Sequence, residues 1–153
     1  MGEVIGSSHT GLQVRDIEAS VRFYADLLGF TVRQRRLLPA PSYVGSIVGY
    51  PDVEMHQAFL DIPGSDHWLE LLEYRGISRG EIDPATGNVG TAHLCLRVTG
   101  LNDLYTRLKA AGVDFVSPPV SPTEGPNVGG WVVYLLDPDG IRIELVETPS
   151  ERF

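Results

Sequence analysis

Alternation of hydrophobic and polar residues along the first half of the chain predicts four short β-strands and one helix. The strands are predicted at residues 6–14, 31–38, 55–61 and 67–74. One face of the helix is defined by apolar residues that recur at spacings of three and four, which are Ile17, Val21, Tyr24 and Leu28. Asp16 stands at the expected N-cap of this helix and Gly29 at its expected end.

The second half of the chain repeats this order of elements. Strands are predicted at 91–98, 113–116, 131–136 and 141–147, and a helix around Leu101 to Leu108 is followed by Gly112. A repeated order of this kind indicates duplication of one supersecondary unit. We therefore predict an α+β domain spanning 1–153, built from two tandem βαβββ modules. The first module covers about 6–74, a linker covers 75–90, and the second module covers about 91–149.

Two histidines and two glutamates occupy matched positions in the predicted repeats. His9 and His93 each stand near the start of a first strand. The last strands align as HWLELLE and IRIELVE, which places Glu70 opposite Glu144. Imidazole and carboxylate are ligands for divalent ions such as Zn²⁺, Ni²⁺, Co²⁺, Mn²⁺ or Fe²⁺. A single strand histidine or glutamate is ordinarily a solvated surface residue, but the coincidence in both repeats favours one metal site.

Composition narrows the class of partner. The chain has 12 basic and 20 acidic residues and a formal net charge of −8, so a nucleic acid or an anionic membrane is not an expected partner. Cys95 is the single cysteine, which excludes an intrachain disulfide and fits a reducing compartment. The sequence has neither the pattern of a secretory leader nor an apolar run of roughly 18 residues. A cytoplasmic location is expected.

Three segments of the chain resemble the vicinal oxygen chelate superfamily, which includes glyoxalase I, methylmalonyl-CoA epimerase, extradiol dioxygenases and bleomycin-resistance proteins. The segments are HTGLQVRDIEASVRFYADLLGF, GTAHLCLRV and LLDPDGIRIELVE. The resemblance implies that the two modules form an incomplete, U-shaped barrel around one divalent metal ion. The metal ligands of the family fall on the four residues that the repeat also selects, which are His9, Glu70, His93 and Glu144.

The resemblance also implies a reaction type. Enzymes of this kind bind substrate oxygen on the metal and stabilise the enolate that forms when an adjacent carbon loses a proton. Glu144 and Glu70 are the candidate bases, and the sequence does not choose between them. We expect a glyoxalase-like lyase or isomerase. One alternative is an extradiol dioxygenase; by resemblance, such enzymes bind their metal through two histidines and one carboxylate, which is one ligand fewer than the four predicted here. The other alternative is a non-catalytic drug- or metabolite-binding protein, which would not need the four ligands.

Neighbours of the ligands bear on the substrate. By resemblance, glyoxalase I carries arginine where Gln13 stands, for the carboxylate of glutathione, and asparagine where Tyr74 stands. A neutral amide does not replace a bidentate arginine, so we expect a small carbonyl or carboxylate substrate other than a glutathione adduct. Arg97 is either a substrate anchor or a solvated residue at a strand end. A homodimer is expected, with sites either private to one chain or shared between two.

Overall fold

The computed structural model describes residues 1–149 and divides into two compact units, one from Met1 to Glu81 and one from Ile82 onward. Their boundary lies within the segment 75–90. The first unit contains β1 (His9–Gln13), α1 (Ile17–Arg22), β2 (Thr31–Leu38), α2 (Tyr43–Val48), β3 (Glu54–Asp61) and β4 (Trp68–Arg75). The second contains β5 (Leu94–Arg97), α3 (Leu101–Ala110), β6 (Trp131–Leu136) and β7 (Arg142–Glu147). The α+β class predicted from the sequence is confirmed, and the strands form two sheets, one in each unit.

The first unit has a four-stranded sheet in the order β1-β4-β3-β2. β1 and β4 are parallel, and the other neighbours are antiparallel. One face of this sheet is covered by α1, whose Ile17 is buried, as are Leu69 and Leu71 of β4. A single turn of π-helix, Phe23–Leu27, continues α1. Burial of this apolar face supplies most of the hydrophobic stabilisation expected for such a unit.

The second unit has a three-stranded sheet in the order β5-β7-β6, with β5 and β7 again parallel. α3 packs on the face that carries Ile143 and Leu145 of β7, and its own Leu101 and Leu108 are fully buried. Each unit therefore has one sheet face covered by its helix. The opposite face of each sheet, which neither α1 nor α3 covers, is called the helix-free face below.

Two local predictions were wrong. Residues 113–116 do not form a strand; within 82–149 this region makes only isolated bridges, Phe115 with Leu135 and Val120 with Val132. The prolines at 118 and 119 explain this difference, because proline has no N–H to continue a ladder. The segment 39–52, for which the sequence predicted no helix or strand, contains α2, whose Val44 is buried in an apolar cluster with Val53, Met55 and Leu72. This cluster covers one end of the helix-free face of the first sheet.

A matched pair of carboxylates caps the helices. Glu73 of β4 accepts a hydrogen bond from the N–H of Ile17 at 3.1 Å, and Glu147 of β7 accepts from the N–H groups of Gly100 and Leu101 at 2.6 and 3.1 Å. Both carboxylates lie at helix N-termini, where the unpaired N–H groups and the helix dipole favour negative charge. The second glutamate of each ELLE or ELVE segment is therefore structural.

None of the helices within residues 1–149 is both long enough and apolar enough to cross a lipid bilayer.

Replacing Glu73 tests the capping contact. Burial raises the pKa of Glu73, but the hydrogen bonds from Arg75 and Ile17 outweigh it, so the pKa lies below the ordinary 4.5. The carboxylate therefore stabilises the fold above the unfolded-state pKa, and this contribution is lost as pH falls through the folded-state pKa. We expect Glu73→Gln to lower the free energy of unfolding at pH 7 by about 1–3 kcal/mol, and by progressively less toward pH 3. Denaturant unfolding across this range measures it.

Glu124→Gln, at an exposed loop position, is the control and should be neutral at every pH. An equal loss at pH 7 and pH 3 for Glu73→Gln would contradict the role of the charge.

Candidate metal and substrate site

The first histidine–glutamate pair lies on the helix-free face of the first sheet. His9 Nε2 is 3.3 Å from Glu70 Oε2. The parallel pairing of β1 with β4 places Gly11 directly beside Glu70. A side chain added at Gly11 would begin 3.5 Å from Glu70 Oε2, so glycine keeps the space next to this carboxylate open. The His9 side chain is 39% exposed and that of Glu70 13%, which leaves the imidazole accessible.

The second pair repeats this arrangement in the other unit. His93 Nε2 is 2.9 Å from Glu144 Oε2, with side-chain exposures of 40% and 17%. β5 pairs with β7 in the same register, and Cys95 takes the place that Gly11 has in the first unit. Each unit therefore brings one predicted histidine ligand against one predicted glutamate ligand.

Two polar residues that the sequence analysis missed contact the glutamates. Gln57 of β3 donates a hydrogen bond from its side-chain amide to Glu70 Oε1. The Tyr134 hydroxyl of β6 lies 3.4 Å from both Glu144 Oε2 and His93 Nε2. In the sequence, Gln57 stands out only as a polar residue between Met55 and Phe59 on the same strand face. Tyr134 carries no such signal, because tyrosine is an ordinary strand residue.

Aromatic side chains border the first pair. The Trp68 ring centroid lies 4.6 Å from that of His9 and 4.9 Å from that of Phe59, and the Arg33 guanidinium lies 5.7 Å from the Trp68 centroid. Contacts of this kind limit the orientations that the His9 ring can adopt. Trp68 is therefore an internal reporter of changes at His9.

The predicted substrate residues lie on the same sheet faces as the pairs. Gln13 and Tyr74 are hydrogen-bonded to one another, so both belong to the helix-free face of the first sheet. Burial raises the pKa of Tyr74, and the hydrogen bond with Gln13 partly offsets this effect. Arg97 is exposed on β5, at a position that shares a face with His93 and Cys95.

Cys95 and the two remaining histidines have other environments. Desolvation, followed by the charge of Glu144 and the hydrogen bond with it, raises the pKa of the Cys95 thiol to about 11. The thiol is therefore protonated at neutral pH and is not an activated nucleophile. His67 is hydrogen-bonded to Thr10 and Ser7, at 2.8 and 3.1 Å, and His56 pairs with Glu54 at 2.9 Å. Neither histidine lies next to the predicted ligands on the sheet face that carries them.

Within each pair, the spacing of the donor atoms fits two ligands of one metal ion. Two ligands that each lie about 2.0–2.2 Å from an ion are about 2.8–3.1 Å apart in adjacent octahedral positions and about 3.3–3.6 Å apart in tetrahedral ones. The observed separations of 3.3 and 2.9 Å agree with this spacing, although a hydrogen-bonded pair has similar distances. Among residues 1–149, no group of three or more histidine, cysteine, aspartate or glutamate side chains is arranged to hold a metal ion. A centre with all four ligands stays a prediction.

These features agree with comparisons to known proteins. The model of the Glyoxalase/Bleomycin resistance protein/Dioxygenase superfamily matches residues 6–145, and the chain belongs to this superfamily. The lactoylglutathione lyase of Haemophilus influenzae is 29% identical over 94% of this chain and 93% of its own. The lactoylglutathione lyase of Escherichia coli O157:H7 is also 29% identical, over 91% and 90%.

Solved structures support the same fold. A glyoxalase family protein from Bacillus cereus superposes with a TM-score of 0.78 at 17% identity, covering 95% of both chains. The trypanothione-dependent glyoxalase I of Leishmania major gives a TM-score of 0.66 at 22% identity, covering 94% of this chain and 87% of that one. At these identities the likeness concerns the fold, and the superfamily resemblance predicted from the sequence is confirmed.

Proposed function

We propose that the protein is a divalent-metal-dependent lyase or isomerase of the glyoxalase type, acting on a small carbonyl or carboxylate substrate. The observation that carries this proposal is the repeated pair: in both units a histidine and a glutamate meet at a ligand-like distance on a helix-free sheet face. An accessible ion pair adds little to stability, so its presence at equivalent positions of both modules favours a functional role. The proposal requires both pairs to hold the same ion.

The donor set is suited to a catalytic ion. Two imidazoles and two carboxylates leave two positions of an octahedral ion for solvent or substrate. When bound, such an ion supplies a Lewis acid that polarises a substrate oxygen and acidifies the adjacent C–H group. The chain itself supplies the base that takes the proton, either Glu70 or Glu144, since both carboxylates lie beside the proposed ion.

The substrate assignment rests on the residues next to the first pair. Gln13 and Tyr74 are hydrogen-bonded to each other, and both are neutral at pH 7. These two side chains therefore offer no fixed positive charge to a glycine or glutamate carboxylate of glutathione. Arg97 on β5 is the cationic candidate for an anionic group of a smaller substrate. The relatives named lactoylglutathione lyase make the glutathione adduct the competing assignment.

Metal content tests the site. We expect the purified protein, loaded with Zn²⁺ or Ni²⁺ and desalted, to retain one ion for each set of four ligands. Because each ligand is needed, His9→Ala and Glu144→Gln should each lower affinity by about 10-fold or more. Both should fold normally, since the His9 imidazole is accessible and Glu144→Gln keeps the size of the side chain. Elemental analysis and competition with a chelating dye measure retention and affinity.

His56→Ala is the matched control, because it removes a histidine that also pairs with a glutamate but is not a predicted ligand. Its metal content should equal that of the wild type. A wild-type chain that binds no divalent ion, yet binds small organic ligands, would support the non-catalytic alternative instead.

The substrate assignment predicts little lactoylglutathione formation from the hemithioacetal of methylglyoxal and glutathione. The expected kcat/KM of the metal-loaded protein is about 10- to 100-fold below that of a dedicated glyoxalase I, because the loss of one charged carboxylate contact costs about 1.5–3 kcal/mol. Spectrophotometric assay beside a known glyoxalase I measures it. Comparable turnover would restore glutathione as the substrate.

We further propose a homodimer, and subunit mixing tests whether its sites are shared. A His9→Ala chain and a Glu144→Ala chain are each expected to lack strong metal binding. If one site takes its two pairs from different chains, a mixed dimer regains one intact site and half of the wild-type metal content. If the sites are private, mixing restores nothing, provided that mass spectrometry confirms subunit exchange. A strictly monomeric mass in solution would contradict the assembly.

A further inference from the structure

Gln57 is an unusual residue for its position. It lies in β3 on the helix-free face, where its cross-strand neighbours are Leu72 of β4 and Arg36 of β2. Only 9% of its surface is exposed, and it adjoins the apolar cluster that contains Met55 and Leu72. A polar side chain buried beside such a cluster costs free energy unless all its hydrogen-bonding groups are satisfied.

The hydrogen bonds of Gln57 are only half satisfied. Its amide nitrogen donates to Glu70 Oε1, whereas its own Oε1 is buried and accepts no hydrogen bond. An apolar residue of the same size would avoid this unsatisfied acceptor, so the residue is poorly suited to a purely structural role. Groups of this kind call for a functional explanation.

We propose that Gln57 is a positioning residue for Glu70. The amide holds Oε1, and this leaves Oε2 directed toward His9 Nε2 at 3.3 Å. In the proposed metal site, Glu70 Oε1 is therefore hydrogen-bonded to Gln57, and Oε2 is the oxygen available to bind the ion. This inference rests on the proposed function, because it concerns the same metal site.

The second unit has no residue equivalent to Gln57 beside its glutamate. The register of β6 with β7 places Val132 beside Val146, at the position that Gln57 occupies beside Leu72 in the first unit. Glu144 instead has the Tyr134 hydroxyl at 3.4 Å and the Cys95 thiol as its hydrogen-bond partners. The two glutamates are thus held by different partners, and the buried amide beside Glu70 has no counterpart beside Glu144.

Gln57→Met tests the proposal, since methionine keeps the size and removes the donor. We expect Zn²⁺ affinity, measured by chelator competition, to fall by about 10- to 100-fold, as for other residues that orient a metal ligand. The thermal unfolding midpoint of the metal-free protein should be unchanged or higher, because the unsatisfied acceptor is removed. Gln34→Met, at an exposed position on the same face of β2, should change neither quantity.

Unchanged Zn²⁺ affinity in a folded Gln57→Met protein would overturn the proposal. So would an affinity loss accompanied by a lower midpoint of the metal-free protein, which would assign Gln57 a structural role. If this variant does not fold, Gln57→Asn retains an amide that is too short to reach Glu70 and should show the same affinity loss. Absence of Zn²⁺ binding by the wild type would instead refute the proposed function itself.

Discussion

Parallel pairing between the first and last strands of each module is the constraint on which the rest of the structure depends. β1 lies beside β4, and β5 lies beside β7, although each pair is separated by the rest of its module in the chain. Because the strands run in the same direction, a histidine at the start of one meets a glutamate near the start of the other. A shift of register by one residue would turn Glu70 or Glu144 onto the helix-covered face.

The same pairing gives the two glutamates of each last strand different roles. Glu70 and Glu73 are three residues apart, so strand alternation directs them to opposite faces. Glu70 reaches the helix-free face and His9, whereas Glu73 reaches the N-terminus of α1. Glu144 and Glu147 repeat this arrangement in the second unit. One short motif thus supplies both a candidate ligand and a helix cap.

Much of this arrangement could be predicted from the sequence because it follows from periodicity and repetition. The bounds of β2 and β6 match the predicted strands, since both segments have strong strand patterns. The prediction of a strand at 113–116 was wrong because the prolines after this segment prevent a continuous ladder. α2 was missed because its six residues are held by the buried Val44 rather than by a helical repeat. The contacts of Gln57 with Glu70 and of Tyr134 with Glu144 depend on cross-strand register, which a single sequence does not reveal.

The helix predicted in the first module also shows that a sequence pattern does not fix the exact backbone geometry. Residues 17–28 were predicted as one helix, and the structure divides them into α1 and a π-helical turn. The spacing of Ile17 and Tyr24 fits both forms at this length, and their burial against the sheet decides the geometry. Local patterns therefore identified which residues face the core, whereas tertiary packing determined the final shape of the backbone.

The repeat preserves the ligand pairs more strictly than their surroundings. Gly11 corresponds to Cys95, and Gln13 corresponds to Arg97, so the two faces differ in size and charge around matching pairs. An asymmetric substrate requires such a difference, because one side of the proposed ion must bind it differently from the other. Under the proposed function, the substrate class depends on these neighbours rather than on the four proposed ligands.

The central claim is that His9, Glu70, His93 and Glu144 bind one ion together. Anomalous diffraction from crystals of the Zn²⁺-loaded protein, recorded on both sides of the zinc absorption edge, tests it most directly. The account predicts a single strong peak for each set of four ligands, with both imidazoles and both carboxylates around it, whether they come from one chain or two. Separate peaks at the two pairs, or a peak without one of the four side chains, would contradict it.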